Sequence, residues 1–160
     1  MKLLLMRHGV AEDAGPATDY RDEPRALTPE GTARMQTAAR GVERLALGIE
    51  EIVSSPLVRC AQTAAIVAAA LGLEPTQDER LRPGADLDLV ADLLLEHPDT
   101  DTILLCGHQP DMSQLVFDLT GGSVVFKKGT LAALELAAPR PDRAHLTALY
   151  PPATLRTLAT

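Results

Sequence analysis

At 160 residues and a net charge of −7, the chain is long enough to bury one hydrophobic core and too acidic for non-specific nucleic-acid binding, which needs a basic surface. Aromatic residues make up only 2%, with no Trp, so Leu, Val, Ile and Ala must fill the core and no platform for stacking bases is expected. No apolar run approaches the ~20 residues of a membrane-spanning helix, and Cys60 and Cys106 stand in no metal-ligand or CxxC spacing, so a single cytoplasmic domain over residues 1–160 is the expectation.

Leu3-Leu4-Leu5-Met6 is a short apolar run that stops at Arg7-His8-Gly9. It reads as a strand rather than a signal peptide. A strand this near the N-terminus has no upstream partner, so it is expected inside the sheet. Its C-terminal end then carries an Arg and a His side by side, at the edge where open α/β sheets bind ligands. Ala11 to Ala26 is polar, rich in Asp, Glu, Gly and Pro, and reads as a surface loop. Thr28 is the expected N-cap of the next helix, with Pro29 at its first position and Glu30 at the positive end of the dipole. Met35, Ala38, Ala39, Val42, Leu45 and Ala46 give that helix one apolar stripe, and Gly48 is its expected stop.

Glu51 to Ser54 is a second short strand, ending in Ser55-Pro56. A helix is expected from Val58 to Leu71 with Gly72 as its C-terminal cap. Thr76 to Leu81 reads as a weak strand, Leu87 to Glu96 as a helix ended by His97-Pro98. Thr102 to Cys106 has the composition of a fully buried strand and ends at Gly107-His108-Gln109-Pro110. A helix follows from Asp111 to Leu119. Leu131–Ala137 and Leu146–Tyr150 form a pair of strands joined by a turn over Pro139–Arg143. Strands alternating with helices and a closing hairpin predict an α/β three-layer sandwich with a mostly parallel central sheet.

Three strand ends in this scheme present basic groups: Arg7-His8, then Arg59 at the start of the second helix, then His108. In a parallel sheet these ends share one edge, so Arg7, His8, Arg59 and His108 are expected to meet there. Guanidinium forks match phosphate oxygens, and helix N-terminal amides add donors. Arg59 sits near a helix N-terminus, where the dipole disfavours a cation unless an anion lies between them. One imidazole, neutral at its attacking nitrogen, can act as a nucleophile toward phosphorus, while the other stabilises charge on the phosphoryl oxygens. The nucleophile's second nitrogen needs a backbone carbonyl or similar acceptor to fix its tautomer. His97 and His145 read as structural. Arg34, Arg40, Arg44, Lys127 and Lys128 read as surface charges, although Lys127-Lys128 could also steer an acidic partner.

Competing chemistries fit less well. A cysteine-dependent phosphatase loop needs an Arg six residues after its Cys, and those positions hold Ile66 and Met112. No two histidines share a ligand spacing and no carboxylate cluster flanks them, so no metal is expected. No Walker-type or dinucleotide glycine loop is present.

Leu5-Met6-Arg7-His8-Gly9, Leu27-Thr28-x-x-Gly31, Ser54-Ser55-Pro56-x-x-Arg59-x-x-Gln62-Thr63 and Gly107-His108, in this order over nearly the whole chain, resemble the histidine phosphatase (phosphoglycerate mutase-like) superfamily. The short length, without large helical insertions, resembles its SixA-type phosphohistidine phosphatases. The resemblance implies that His8 is the nucleophile, through a phosphohistidine intermediate hydrolysed by water. It implies that Arg7, Arg59 and His108 hold the phosphoryl group and that no metal or organic cofactor is required.

One departure carries chemical information. Larger family members place a proton-donating Glu after the third strand, where this chain reads Leu81-Arg82-Pro83-Gly84-Ala85-Asp86 with Pro83 in the acid's place. Another branch places an Asp directly after the second histidine, where this chain has Gln109. An alkoxide leaving group needs an acid behind it, whereas an imidazole leaves more easily. The expected substrate is therefore phosphohistidine on a protein. The alternatives are a broad small-molecule phosphomonoesterase, with Asp86, Glu12 or Asp13 supplying the proton, and a non-catalytic phosphoprotein-binding module. Neither nucleic acid nor membrane is expected as a partner.

Overall fold

The computed structural model describes residues 1–139 and 142–160. In chain order the elements are β1 (Lys2–Arg7), α1 (Pro29–Leu45), β2 (Glu51–Ser54), α2 (Val58–Leu71), β3 (Thr76–Gln77), α3 (Leu87–Leu95), β4 (Thr102–Gly107), α4 (Asp111–Thr120), β5 (Leu131–Leu136), β6 (Ala144–Tyr150) and α5 (Pro152–Leu158). The strands form one sheet in the order β3-β2-β4-β1-β5-β6. β1, β2, β3 and β4 are mutually parallel, and β5 runs antiparallel between β1 and β6. β1 thus lies inside the sheet, as its apolar run predicts.

Both faces of that sheet are covered, which is why β1 and β4 read as continuous apolar runs rather than alternating ones. Leu3 and Leu5 of β1 face a core built with Val90, Leu93 and Leu94 of α3 and Leu115 and Val116 of α4. Leu4 and Met6 face the opposite core, built with Met35, Ala38 and Val42 of α1, Ala64 and Val67 of α2, and Leu155 of α5. The result is the expected three-layer α/β sandwich with a mostly parallel sheet.

Local signals behave unevenly. Thr28 caps α1, its hydroxyl accepting from Gly31 N at 2.8 Å, with Pro29 at the first helical position. The helix nevertheless ends before Gly48: Ala46 takes the left-handed conformation, φ 48°, and its N–H bonds to Glu43 O. Gly72 does cap α2, at φ 69°. The weak strand expected over Thr76–Leu81 is only two residues long, because Asp78 accepts from Arg80 N and turns the chain into a 3-10 segment over Glu79–Leu81. The hairpin turn expected over Pro139–Arg143 lies partly outside the described residues, at 140 and 141.

α5 has no counterpart in the sequence reading. Pro152 begins it and Leu155 anchors it in the core against α1. The approach is close because Gly41 of α1 lacks a side chain: a Cβ there would stand 1.9 Å from Leu155 O. Gly31 plays the same part at the other end of α1, where a Cβ would meet Val10 O at 2.1 Å. That contact seats the start of α1 against the residues that follow His8.

Candidate active site

Three parallel strands end level with one another. Arg7 of β1 lies in register with Gly107 of β4, and Ser54 of β2 with Cys106. His8 and His108 are the next residues along β1 and β4, and Arg59 is the second residue of α2. The structure brings Arg7, His8, Arg59 and His108 together around one cleft of about 400 Å³. The two imidazole centroids are 5.6 Å apart.

His8 is only 6% exposed. Its Nδ1 lies 2.7 Å from Gly9 O, so Nδ1–H donates to that carbonyl and Nε2 carries the lone pair. Burial pushes the imidazole down to about 3. The positive charges of Arg59 and Arg7 push the same way, and the bond to Gly9 only partly opposes them. His8 is therefore neutral at ordinary pH. Arg59 Nε–H donates to its Nε2 at 3.2 Å.

Arg59 connects the two rings, since its Nη2 also donates to His108 Nδ1 at 3.2 Å. His108 Nε2 then carries the proton, donated to Ser55 Oγ at 2.8 Å. Cys60 packs behind His108 and donates Sγ–H to Gly107 O at 3.5 Å. Arg7 donates Nη1–H to Phe126 O at 2.8 Å, while its Nε–H is buried with no acceptor among the described residues. A buried donor left unpaired is costly unless a ligand oxygen meets it.

The motif residues around these four have visible work. Gly9 N donates to Thr63 Oγ1 at 3.1 Å, and the Thr63 hydroxyl donates to Arg59 O at 2.7 Å, locking α2 to the segment after His8. Gln62 Oε1 accepts from Leu27 N at 2.7 Å and pins the end of the 11–26 loop. Ser55 orients His108.

The acid candidates are not brought in. Asp86 caps α3 by accepting from Leu89 N, and neither it nor Glu12 nor Asp13 lines the cleft. Pro83 and Gln109 do line it, at the two positions where a family acid was sought. The lining carboxylate among the described residues is Asp22, which the sequence reading missed together with its neighbour Arg25. Asp22 accepts from Arg59 Nη2 at 3.0 Å and from Arg25 Nη1 at 2.7 Å. Burial would raise the Asp22 carboxyl, but these two hydrogen bonds outweigh it and hold the group below the usual carboxylate range. Nothing in the polar loop sequence marks either residue; only the fold of residues 11–26 over α2 does.

Among the described residues no group of three or more His, Cys, Asp or Glu side chains could hold a metal ion, and no helix is long and apolar enough to cross a membrane. Sheet order, together with paired imidazoles at the strand ends, defines a phosphatase of the phosphoglycerate mutase-like class. Comparison with known proteins agrees. The family model of the histidine phosphatase superfamily (branch 1) matches residues 3–83. The chain belongs to that superfamily and is a hydrolase of the phosphatase type. An uncharacterized protein of Picosynechococcus is 35% identical over 148 residues, 88% of each chain. The phosphohistidine phosphatase SixA of Escherichia coli is 29% identical over 143 residues, 85% of this chain and 86% of its own. A structure of the protein histidine phosphatase SixA complexed with tungstate superposes with a TM-score of 0.84 at 25% identity, covering 97% of this chain and 99% of the other.

Proposed function

We propose that this protein removes the phosphoryl group from a phosphorylated histidine of another protein, by way of a covalent phosphoryl on His8 Nε2. The observation that carries the reading is the state of His8. Its tautomer is fixed by Gly9 O, its ring is kept neutral by burial, and its unprotonated nitrogen, hydrogen-bonded by Arg59, faces a cleft lined by Arg7, Arg59 and His108.

His8 Nε2 forms a bond to phosphorus as the P–N bond of the substrate breaks, and the substrate imidazole, protonated at its far nitrogen, leaves neutral. Arg59 transfers its Nε–H and Nη2–H from the two histidines to phosphoryl oxygens, and Arg7 supplies its unpaired Nε–H. Each such charge-assisted bond in a partly dry site contributes about 1.5–3 kcal/mol. His108, released from Arg59 at Nδ1 and held by Ser55 at Nε2, donates to a phosphoryl oxygen when protonated. Water then attacks phosphorus, the P–Nε2 bond breaks, and inorganic phosphate departs with His8 again neutral.

The substrate class follows from the leaving group. Pro83 and Gln109 offer no proton, and Asp22 is held ionised by two guanidiniums. A phosphoramidate needs the least help under these conditions, and SixA of Escherichia coli, 29% identical, is a phosphohistidine phosphatase. Two unpaired, buried cysteines fit action in the cytoplasm.

Asp22 also supports a second reading, as a small-molecule phosphomonoesterase. Once a phosphoryl group draws Arg59 away, its carboxyl could take a proton and serve a poorer leaving group. Parallel rates on a phosphohistidine peptide, an alkyl phosphate and an aryl phosphate decide between them. The phosphohistidine reading expects rapid turnover of the first, slow turnover of the second and intermediate turnover of the third. Comparable rates on peptide and alkyl phosphate favour the esterase, and binding without any labelling of His8 favours a non-catalytic module.

A further inference from the structure

Beside the catalytic cleft lies a second cavity of about 320 Å³, between α1, the segment around Lys127-Lys128 and the start of α5. Its floor is apolar, with Met35 and Ala38 from α1 and Pro152 from α5. Its rim carries four cations: Arg34, Lys127, Lys128 and Arg156. Arg34 pairs with Glu30, but among the described residues no carboxylate lies within 4 Å of Lys127, Lys128 or Arg156. In a chain of net charge −7 this is a local reversal of sign.

The cavity is built onto the catalytic machinery. Gly9 and Val10, the residues after His8, form part of its wall, and Lys128 lines both cavities. The turn that carries the lysines is tied to the catalytic strand: Gly129 N donates to Arg7 O and His8 O, each at 3.1 Å, and Phe126 O accepts from Arg7. Lys127 and Lys128 are thus held at a fixed offset from the nucleophile.

We propose that this groove docks an acidic segment, with interspersed apolar side chains, of the phosphorylated protein substrate, beside the histidine being dephosphorylated. The inference rests on the phosphohistidine reading above and deepens it. Charge complementarity selects the occupant. With a net charge of −7 the chain as a whole repels an acidic partner, so attraction at this rim, continuous through Lys128 with the cationic cleft, fixes the docking face and the orientation. The apolar floor takes Leu- or Val-sized side chains between the carboxylates. A partner bound this way presents its phosphohistidine across Lys128 into the cleft that holds His8.

The test uses two phosphohistidine peptides of equal length, one flanked by Asp, Glu and Leu, the other by Ser, Gln and Leu, with an aryl phosphate as control for folding and chemistry. The acidic peptide is expected to have a kcat/KM about tenfold higher at low salt, equivalent to about 1.4 kcal/mol, and to lose that advantage as ionic strength rises. The double variant Lys127→Glu, Arg156→Glu should bring the two peptides to parity while leaving aryl phosphate turnover unchanged. Equal kcat/KM for the two peptides in the parent protein overturns the groove proposal and leaves the phosphohistidine reading standing. A preference that survives in the double variant overturns it too. Turnover of the aryl phosphate but of neither peptide removes the phosphohistidine reading, and the groove proposal with it. A dimer of the parent chain that the double variant dissolves would assign the groove to a second copy and overturn the substrate assignment.

Discussion

Arg59 and His8 are hydrogen-bonded to each other, guanidinium Nε–H to imidazole Nε2 at 3.2 Å. In the proposed mechanism, the cation that grips the phosphoryl group thus rests on the nitrogen that attacks it. On that mechanism, substrate binding exchanges this contact for two charge-assisted ones, and His8 Nε2 is uncovered as the phosphoryl group is gripped. Arg59→Ala removes donors that act on the transferring group and is expected to lower kcat about 10²–10³-fold. Single-turnover rates check this. Arg59→Lys should recover only part of the loss, because a point charge cannot bridge the two rings as the planar fork does.

Asp22 is paired with Arg59, and on the proposed mechanism it competes with substrate for that guanidinium. Asp22→Asn weakens that competition, and inorganic phosphate should then inhibit about twofold to fivefold more tightly, the range for a half-exposed ion pair. Turnover of a phosphohistidine peptide should not fall. A large fall confined to alkyl phosphates, with loss of the alkaline limb of the pH profile, would instead make Asp22 a proton donor.

Ser55 sets the orientation of His108 through the 2.8 Å contact with Nε2. Ser55→Ala should lower kcat about tenfold, the scale of one hydrogen bond. Thermal stability should fall as well, by about 1–3 kcal/mol, since His108 Nε2–H and Leu57 N–H both lose their buried acceptor. An unchanged kcat would show that His108 needs no such support.

The pH dependence has a definite sign. A histidine in the unfolded chain titrates near 6.5, while His8 in the folded protein is pushed down to about 3. Between these values the unfolded chain binds a proton that the folded protein refuses. Stability present above about pH 6.5 is therefore lost as pH falls toward the folded value. Denaturant midpoints should drop on acidification, and less so in His8→Gln. By NMR, the His8 ring should show no titration from about pH 8 to about pH 5; a midpoint near 6.5 would contradict its burial.

Gly41→Ala places a methyl where Leu155 O now lies, at 1.9 Å. Overpacking of this kind costs about 1–3 kcal/mol. The melting temperature should fall, with proteolysis beginning at α5. An unchanged melting temperature would mean that α5 is not seated on α1 as described.

The residues around His8 were legible because their signals are local. An uninterrupted apolar run ending in Arg7-His8 can hardly be anything but a buried strand, and parallel strands ending level bring His108 and Arg59 to it. Thr28 and Gly72 act through their own backbone neighbours, so they too could be read. Ala46 could not: packing of α1, rather than propensity, decides where the helix turns left-handed. α5 is seven residues with threonines and a proline, below the length at which periodicity speaks, and its close seating on α1 depends on Gly41. Asp22 and Arg25 lie in a segment without pattern, and their place over Arg59 is set by contacts such as Gln62 with Leu27 that no spacing reveals.

The most direct test is to mix the protein with a phosphohistidine peptide labelled on phosphorus, quench in alkali within milliseconds, and map the label. The account predicts a transient, alkali-stable phosphoryl on Nε2 of His8, absent in His8→Ala, which should also have lost turnover. Full turnover by His8→Ala, or label on another residue, would contradict it.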